Sequence, residues 1–181
     1  MKKFRNKYTR PRMTWNTVLI AEDKAILSEY GLRRKREIWS AKALVSDFRR
    51  RARELNAVGD KTKEAVLLEK INKLGLIKAS SLDDVLSLQL RNVLDRRLQT
   101  LVHKKGLATT VKQSRQLIVH GHVTIDGRKT TFPSYLVPVL EEEKIGVSID
   151  VKIQKQETPK TPELPEQQKV EEVVENTDTI L

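Results

Sequence analysis

The cations Arg91, Arg96, Arg97, Lys104, Lys105, Lys112, Arg115, Arg128 and Lys129 crowd into one stretch of the chain, with Gln116, His120 and His122 among them. Guanidinium groups grip phosphate oxygens bidentately, ammonium groups neutralise them, and imidazole and amide side chains can stack on or hydrogen-bond to exposed bases. The chemistry on offer is polyanion binding rather than bond making. The three histidines are His103, His120 and His122. The last two flank Gly121, where alternation should send them apart instead of together onto a metal. There is no cysteine, which removes cysteine zinc clusters and any disulfide framework. Ser114 has no adjacent base, and the glycines around Gly121 and Gly127 have neither the spacing nor the following helix of a nucleotide-phosphate loop. No catalytic residue, metal site, cofactor or small-molecule substrate is expected.

Scattered cations make a binding face only if the chain folds them together, so the elements come next. Leu90, Leu94, Leu98 and Leu101 recur at spacings of four, four and three, which predicts one amphipathic helix ending at Lys104, Lys105 and Gly106. Thr110 with Gln113 predicts a capping box opening a second helix, with Val111, Leu117 and Ile118 buried, Lys112, Arg115 and Gln116 outside, and a stop at Gly121. His122–Ile125 predicts a strand, and Asp126-Gly127 a two-residue hairpin turn. Tyr135–Val137 and Ile145–Ile149 predict further strands around an acidic turn at Glu141–Lys144. Arg97 is open to a second reading as an internal salt-bridge partner of Asp95 or Glu142.

Upstream, Thr17 to Tyr30 predicts a helix ending at Gly31. Ile38, Ala41, Val45, Phe48, Ala52 and Leu55 repeat at three-four spacing along a longer one. Arg33, Arg34, Lys35 and Arg36 precede that seam, and Arg49, Arg50, Arg51 and Arg53 surround it, with only Glu37, Asp47 and Glu54 as counter-charges. A solvated helix normally mixes its signs, so this surplus favours RNA. Gly59 should end it. Lys61–Leu74, with mixed surface charge, reads as a packing helix, and Ser81 with Asp84 as a cap for a short helix through Leu86.

The 181 residues carry 35 Lys and Arg against 24 Asp and Glu, for a net charge of +11 and a pI near 9.9. The segment from Gln154 to Leu181 holds three lysines and seven acids, so the rest stands at 32 basic against 17 acidic residues, +15. Met1–Asn16 reads as an extended basic arm, mobile until it meets RNA, whose rings could stack on bases. No apolar run suits a signal peptide or a bilayer span, so no membrane association is expected. The expected class is α+β: a basic arm (1–16), a helical RNA-binding domain (17–80), a small RNA-binding module of two helices and a short antiparallel sheet (81–153), and a disordered acidic Pro/Glu-rich tail (154–181).

The run Asp95–Val102, then Lys105–Ala108, Lys112–His122 and Pro133–Tyr135 closely resembles the RNA-binding module of the small-subunit ribosomal protein four family. Tyr30–Trp39 resembles the amino-terminal domain of its archaeal and eukaryotic members. Gln99 and Thr100, where bacterial members usually carry Asp and Asn, and the lack of an amino-terminal cysteine cluster point to the same branch. The resemblance implies a cytoplasmic, non-enzymatic constituent of the small ribosomal subunit that binds its rRNA early and nucleates assembly of the subunit body. It also implies a place near small-subunit ribosomal protein five, at an interface linked to decoding accuracy. Carried over by position, the RNA-facing motif falls on Arg96, Arg97, Lys104, Lys112, Arg115, Gln116, His120, His122 and Arg128. On that reading, Arg96→Ala or Arg115→Ala should each lower the salt slope of RNA binding by about 0.7–0.9.

Overall fold

The computed structural model describes residues 7–148; the first part of the arm, Ile149 of the last expected strand, the end of the module and the acidic tail lie outside the described residues. Helix α1 (Thr17–Glu29) starts where the Asn16 side-chain oxygen accepts hydrogen bonds from the Val18 and Leu19 amides. Helix α2 (Lys35–Val58) buries Ile38, Ala41, Val45, Phe48 and Ala52 along the expected seam, and Gly59 ends it in the left-handed conformation. Helix α3 (Lys61–Leu74) buries Leu67 and Ile71 and ends at Gly75. Helix α4 (Leu82–Leu86) begins with a reciprocal capping box between Ser81 and Asp84. Hydrogen bonds from the Ser80 and Ser81 amides hold the Asp84 carboxyl down at about 2. With helix α5 (Leu90–Asp95), these elements enclose a first core containing Ile38, Phe48, Ile71, Val85, Leu88 and Leu94.

A second core is built from helix α6 (Leu98–Lys104), helix α7 (Val111–Val119) and a three-stranded antiparallel sheet. Strand β1 (Val123–Ile125) lies between β2 (Arg128–Lys129) and β3 (Ile145–Val147). Val123 faces Val147 and Ile125 faces Ile145 in the register, so the inward side chains of β1 complete a core with Leu98, Leu101, Val102 and Ile118. The hairpin forms as the dipeptide predicts: Asp126 has φ 52° and Gly127 φ 76°, the conformation a type I′ turn needs at both central positions.

The leucine ladder is where the sequence misleads. It is two helices, because the chain straightens at Arg97 (φ −72°, ψ 142°). Leu90 and Leu94 pack into the first core, Leu98 and Leu101 into the second. The backbone groups freed by the break are satisfied by the segment expected to be a strand. The Val137 amide donates to the Arg96 carbonyl at 3.1 Å and the Leu98 amide to the Tyr135 carbonyl at 2.8 Å, while the Thr100 hydroxyl donates to the Leu94 carbonyl at 2.8 Å. Tyr135–Val137 is therefore not a strand but a strap carrying a single bridge, Arg97 to Leu136, bracketed by Pro133 and Pro138, which cannot donate to a ladder. The expected acidic turn is half helix and half turn: Glu141 and Glu142 end a short helix, α8 (Val139–Glu142), and Glu143 and Lys144 turn into the last strand. On α7 the deeply buried residues are Ser114 and Ile118, with Val111 and Leu117 half-buried.

Gly75 is the point where the end of α3 meets α8. Its φ is 64°, and a Cβ there would sit 2.7 Å from Val139 Cγ2 and 3.2 Å from Arg96 Cζ. Gly59 has φ 74° but open space around it. Gly59→Ala is expected to cost only the left-handed strain, about 1 kcal/mol, and Gly75→Ala about 2–3 kcal/mol because it adds a clash with α8. Thermal unfolding of the two variants checks the difference. No helix among the described residues is long and apolar enough to cross a membrane.

Candidate nucleic-acid interface

The loop before α2 and the start of α7 lie together. Thr110 opens α7, its hydroxyl accepting a hydrogen bond from the Gln113 amide at 3.2 Å. The Gln113 side chain reaches Thr109 instead of completing the reciprocal box with Thr110. A Cβ on Gly31 would stand 3.3 Å from Val111 Cβ. Between these segments lies Gln99, 1 % exposed, whose amide nitrogen donates to the carbonyls of Tyr30, Gly31 and Val111 at 3.3, 3.1 and 3.1 Å. Arg33, Arg34 and Lys35 follow Gly31 in the chain, and Lys112 follows Val111.

Glu37 closes the junction. Its carboxylate accepts from Arg97 Nη2 at 2.8 Å and from both terminal nitrogens of Arg115, at 3.0 and 3.1 Å. Burial pushes the Glu37 carboxyl up, but the Arg115 hydrogen bonds and the charges of Arg97 and Arg115 outweigh it and hold the group below its ordinary value. Burial also pulls Arg97 below its ordinary value, against the charge of Glu37. Because the Arg97 side chain is only 6 % exposed, this residue is not a phosphate ligand. It is the internal ion-pair partner that its second reading allowed, with Glu37 in place of Asp95 or Glu142.

Other arginines expected on the RNA side are also engaged. Arg96 binds Glu142 at 2.6 Å and the Val137 carbonyl at 2.8 Å, so it pins α8 and the strap. Arg115 is three-quarters buried against Glu37, and the expected salt-slope losses for Arg96→Ala and Arg115→Ala do not suit side chains held this way. Lys104 pairs with Asp95 at 3.1 Å, which also accepts from the Tyr30 hydroxyl at 3.2 Å. Burial, then the Asp95 and Glu29 charges, push that phenol up to about 12. Lys105 donates to the Glu142 carbonyl, and Arg91 pairs with Glu29 at 3.4 Å. Arg49 donates to the Leu88 carbonyl at 2.6 Å, and Arg50 sits between Asp47 and Glu54.

Among the described residues, Arg33, Arg34, Lys35, Arg53, Lys112, Arg128 and Lys129 make no ion pair. All but the half-buried Lys35 are exposed. Arg36 stands 5.2 Å from the Tyr8 ring, which packs 6.0 Å from that of Trp39. This end of the arm is thus laid on α2, and Tyr8 is not a free stacking ring; Trp15, 89 % exposed, is. Down the outer face of α7, Lys112, Gln116 and His120 follow at four-residue steps. Gln113, Gln116, Leu117, His120 and His122 line an open groove of about 410 Å³. The two imidazoles do not diverge. Gly121, with φ 76°, turns the chain so that the His122 amide donates to the Leu117 carbonyl, and the rings stack 6.3 Å apart at 20°.

The S4 domain family model matches residues 96–142, beginning where the second core begins. Over 149 residues the chain is 46% identical to the small ribosomal subunit protein uS4 of Metallosphaera sedula, covering 80% of this chain and 83% of that one. It is also 46% identical to that of Ignicoccus hospitalis, covering 80% and 90%. For Methanothermobacter thermautotrophicus the identity is 44%, covering 80% and 87%. The chain belongs to the uS4 family of small ribosomal subunit proteins. Members of the uS4 family are structural ribosomal proteins rather than enzymes, and the archaeal relatives agree with the branch indicated by Gln99 and Thr100. Two residues that shape the uS4 site escape a search for cations: Glu37, the acid that follows a run of four basic residues, and Gln99, a polar side chain beside Leu98 in an apolar stripe. Both break the local pattern, and that is the signal each leaves.

Proposed function

We propose that this chain binds small-subunit rRNA directly, early in assembly, and that it helps nucleate the body of the subunit. The observation that carries this reading is the set of cations that make no ion pair among the described residues, the exposed Arg33, Arg34, Arg53, Lys112, Arg128 and Lys129 with the half-buried Lys35. Gln116, His120 and His122 supply groups that stack on or hydrogen-bond to bases turned out of a helix. Arg36, Arg50, Arg91, Lys104 and Lys105 are secondary contributors that exchange or share protein partners when phosphate arrives. Arg49, Arg96, Arg97 and Arg115 shape the surface from behind. Such a surface reads the phosphate geometry of structured RNA more than its base sequence. In the subunit the chain lies beside small-subunit ribosomal protein five and contributes to accurate decoding, in the cytoplasm, without a membrane or small-molecule ligand.

Crosslinking in cells followed by RNA sequencing tests the reading. Small-subunit rRNA is the expected product, with crosslinks at α7 and the hairpin. Recovery of mainly transfer or messenger RNA overturns it. In solution, affinity for an rRNA fragment falls steeply as salt rises from 50 to 200 mM, the expected signature of counterion release.

A further inference from the structure

The described chain stops at Ser148, whose amide donates to the His122 carbonyl at 2.8 Å. The segment that follows is therefore rooted at the rim of the groove lined by Gln116, His120 and His122. It comprises the 33 residues 149–181, and from Gln154 onward holds seven acids against three lysines, while the rest of the chain stands at +15. The contour length of 33 residues is far more than is needed to reach α7 and the hairpin from that root, and a ligand tethered so close to its target acts at an effective concentration in the millimolar range. The cations within that reach on α7 and β2, Lys112, Arg128 and Lys129, are exposed and make no ion pair among the described residues.

From the place of the root, the length beyond it and the opposite charges, we infer that the acidic segment 154–181 occupies the cationic face of α7 and the β1–β2 hairpin in the free protein. There it acts as a tethered competitor of RNA. The inference rests on the RNA-binding reading above. A competitor of low charge density is displaced by a folded RNA that matches the whole surface. It holds off RNA that meets only the charges. The effect is selectivity: the segment lowers affinity for indiscriminate RNA more than for the fitting one, and salt erases the difference because both contacts are Coulombic.

The test compares the full chain with a variant in which all seven tail acids are changed to their amides (Glu→Gln, and Asp178→Asn), using poly(U) and a small-subunit rRNA fragment. At 50 mM salt the amide variant is expected to bind poly(U) about tenfold more tightly than the wild type, with a smaller gain on the rRNA fragment and no difference at 300 mM. In the free wild-type chain, zero-length carbodiimide crosslinking followed by mass spectrometry should join tail acids to Lys112 or Lys129, and the rRNA fragment should abolish those links. Equal poly(U) affinities at low salt overturn the inference while leaving RNA binding intact. So do crosslinks spread evenly over the α3 lysines Lys61, Lys63, Lys70 and Lys73. If neither chain binds either RNA, the RNA-binding reading falls and this inference falls with it.

Discussion

Glu37→Ala is expected to lower the free energy of unfolding by about 3 kcal/mol, the low end of the cost of removing one partner from a buried ion pair. The residue serves two arginines at once. Without it, Arg97 retains a charge with only 6 % of its side chain exposed, and Arg115 loses two of its hydrogen bonds. The two guanidinium groups would then repel each other with nothing between them. Urea unfolding gives the number through a shifted midpoint at constant slope. Glu37→Gln, which keeps the shape and an acceptor oxygen but not the charge, should fall between. The acid limb follows from the depressed Glu37 carboxyl. A carboxyl whose folded pKa lies below its unfolded value contributes fully above the unfolded value and loses that contribution as pH falls through the folded one. The gap between wild type and Glu37→Gln is therefore widest near neutrality and closes in acid below the ordinary carboxylate range. A gap independent of pH would remove Glu37 from the role of charged clamp.

The second large effect separates binding from stability. The triple substitution Lys112→Ala, Arg128→Ala, Lys129→Ala removes cations that are exposed and make no ion pair among the described residues. Surface changes of this kind leave folding within about 0.5 kcal/mol each. Each lost phosphate contact lowers the slope of log affinity against log salt by about 0.7–0.9, so the triple variant should lose roughly 2–2.7 units of slope. Affinity for the rRNA fragment should then vary some sixteenfold or more less than wild type between 50 and 200 mM salt. Filter binding across that range reads it directly. An unchanged slope with a normal unfolding midpoint would show that phosphate is bound elsewhere on the protein.

What the sequence made legible was whatever local physics decides. The seam of α2 was readable because one face of a long helix must be apolar, and its end because Gly59 tolerates a left-handed φ. Asp126-Gly127 announced its turn because few dipeptides accept positive φ twice. The break at Arg96 and Arg97 was not readable. Leucines at 90, 94, 98 and 101 fit one helix as well as two, and only pairing with the distant strap at residues 135–137 decides between them. The candidate face was half legible for the same reason. A count of cations locates a polyanion site, but it does not tell which arginines look outward. Arg97 and Lys112 are alike in the sequence, and the difference between them is set by Glu37, sixty residues from Arg97 along the chain. The histidines illustrate an error of argument: alternation puts residues i and i+2 on one face and so never separated His120 from His122, and the turn at the left-handed Gly121 stacks their rings.

The partition of the leucines between two interiors has a consequence for synthesis on the ribosome. The buried members of the first interior are all present once Leu94 has emerged, whereas those of the second run to Ile145. A chain made from its amino terminus can therefore collapse its helical half while the other half is still being added. In that interval Arg97, three residues past Leu94, is already made while Arg115 is not, so Glu37 has at most one of its two arginines. The bonds to Arg115 come only with α7, so the clamp is completed when the later half docks on the earlier one.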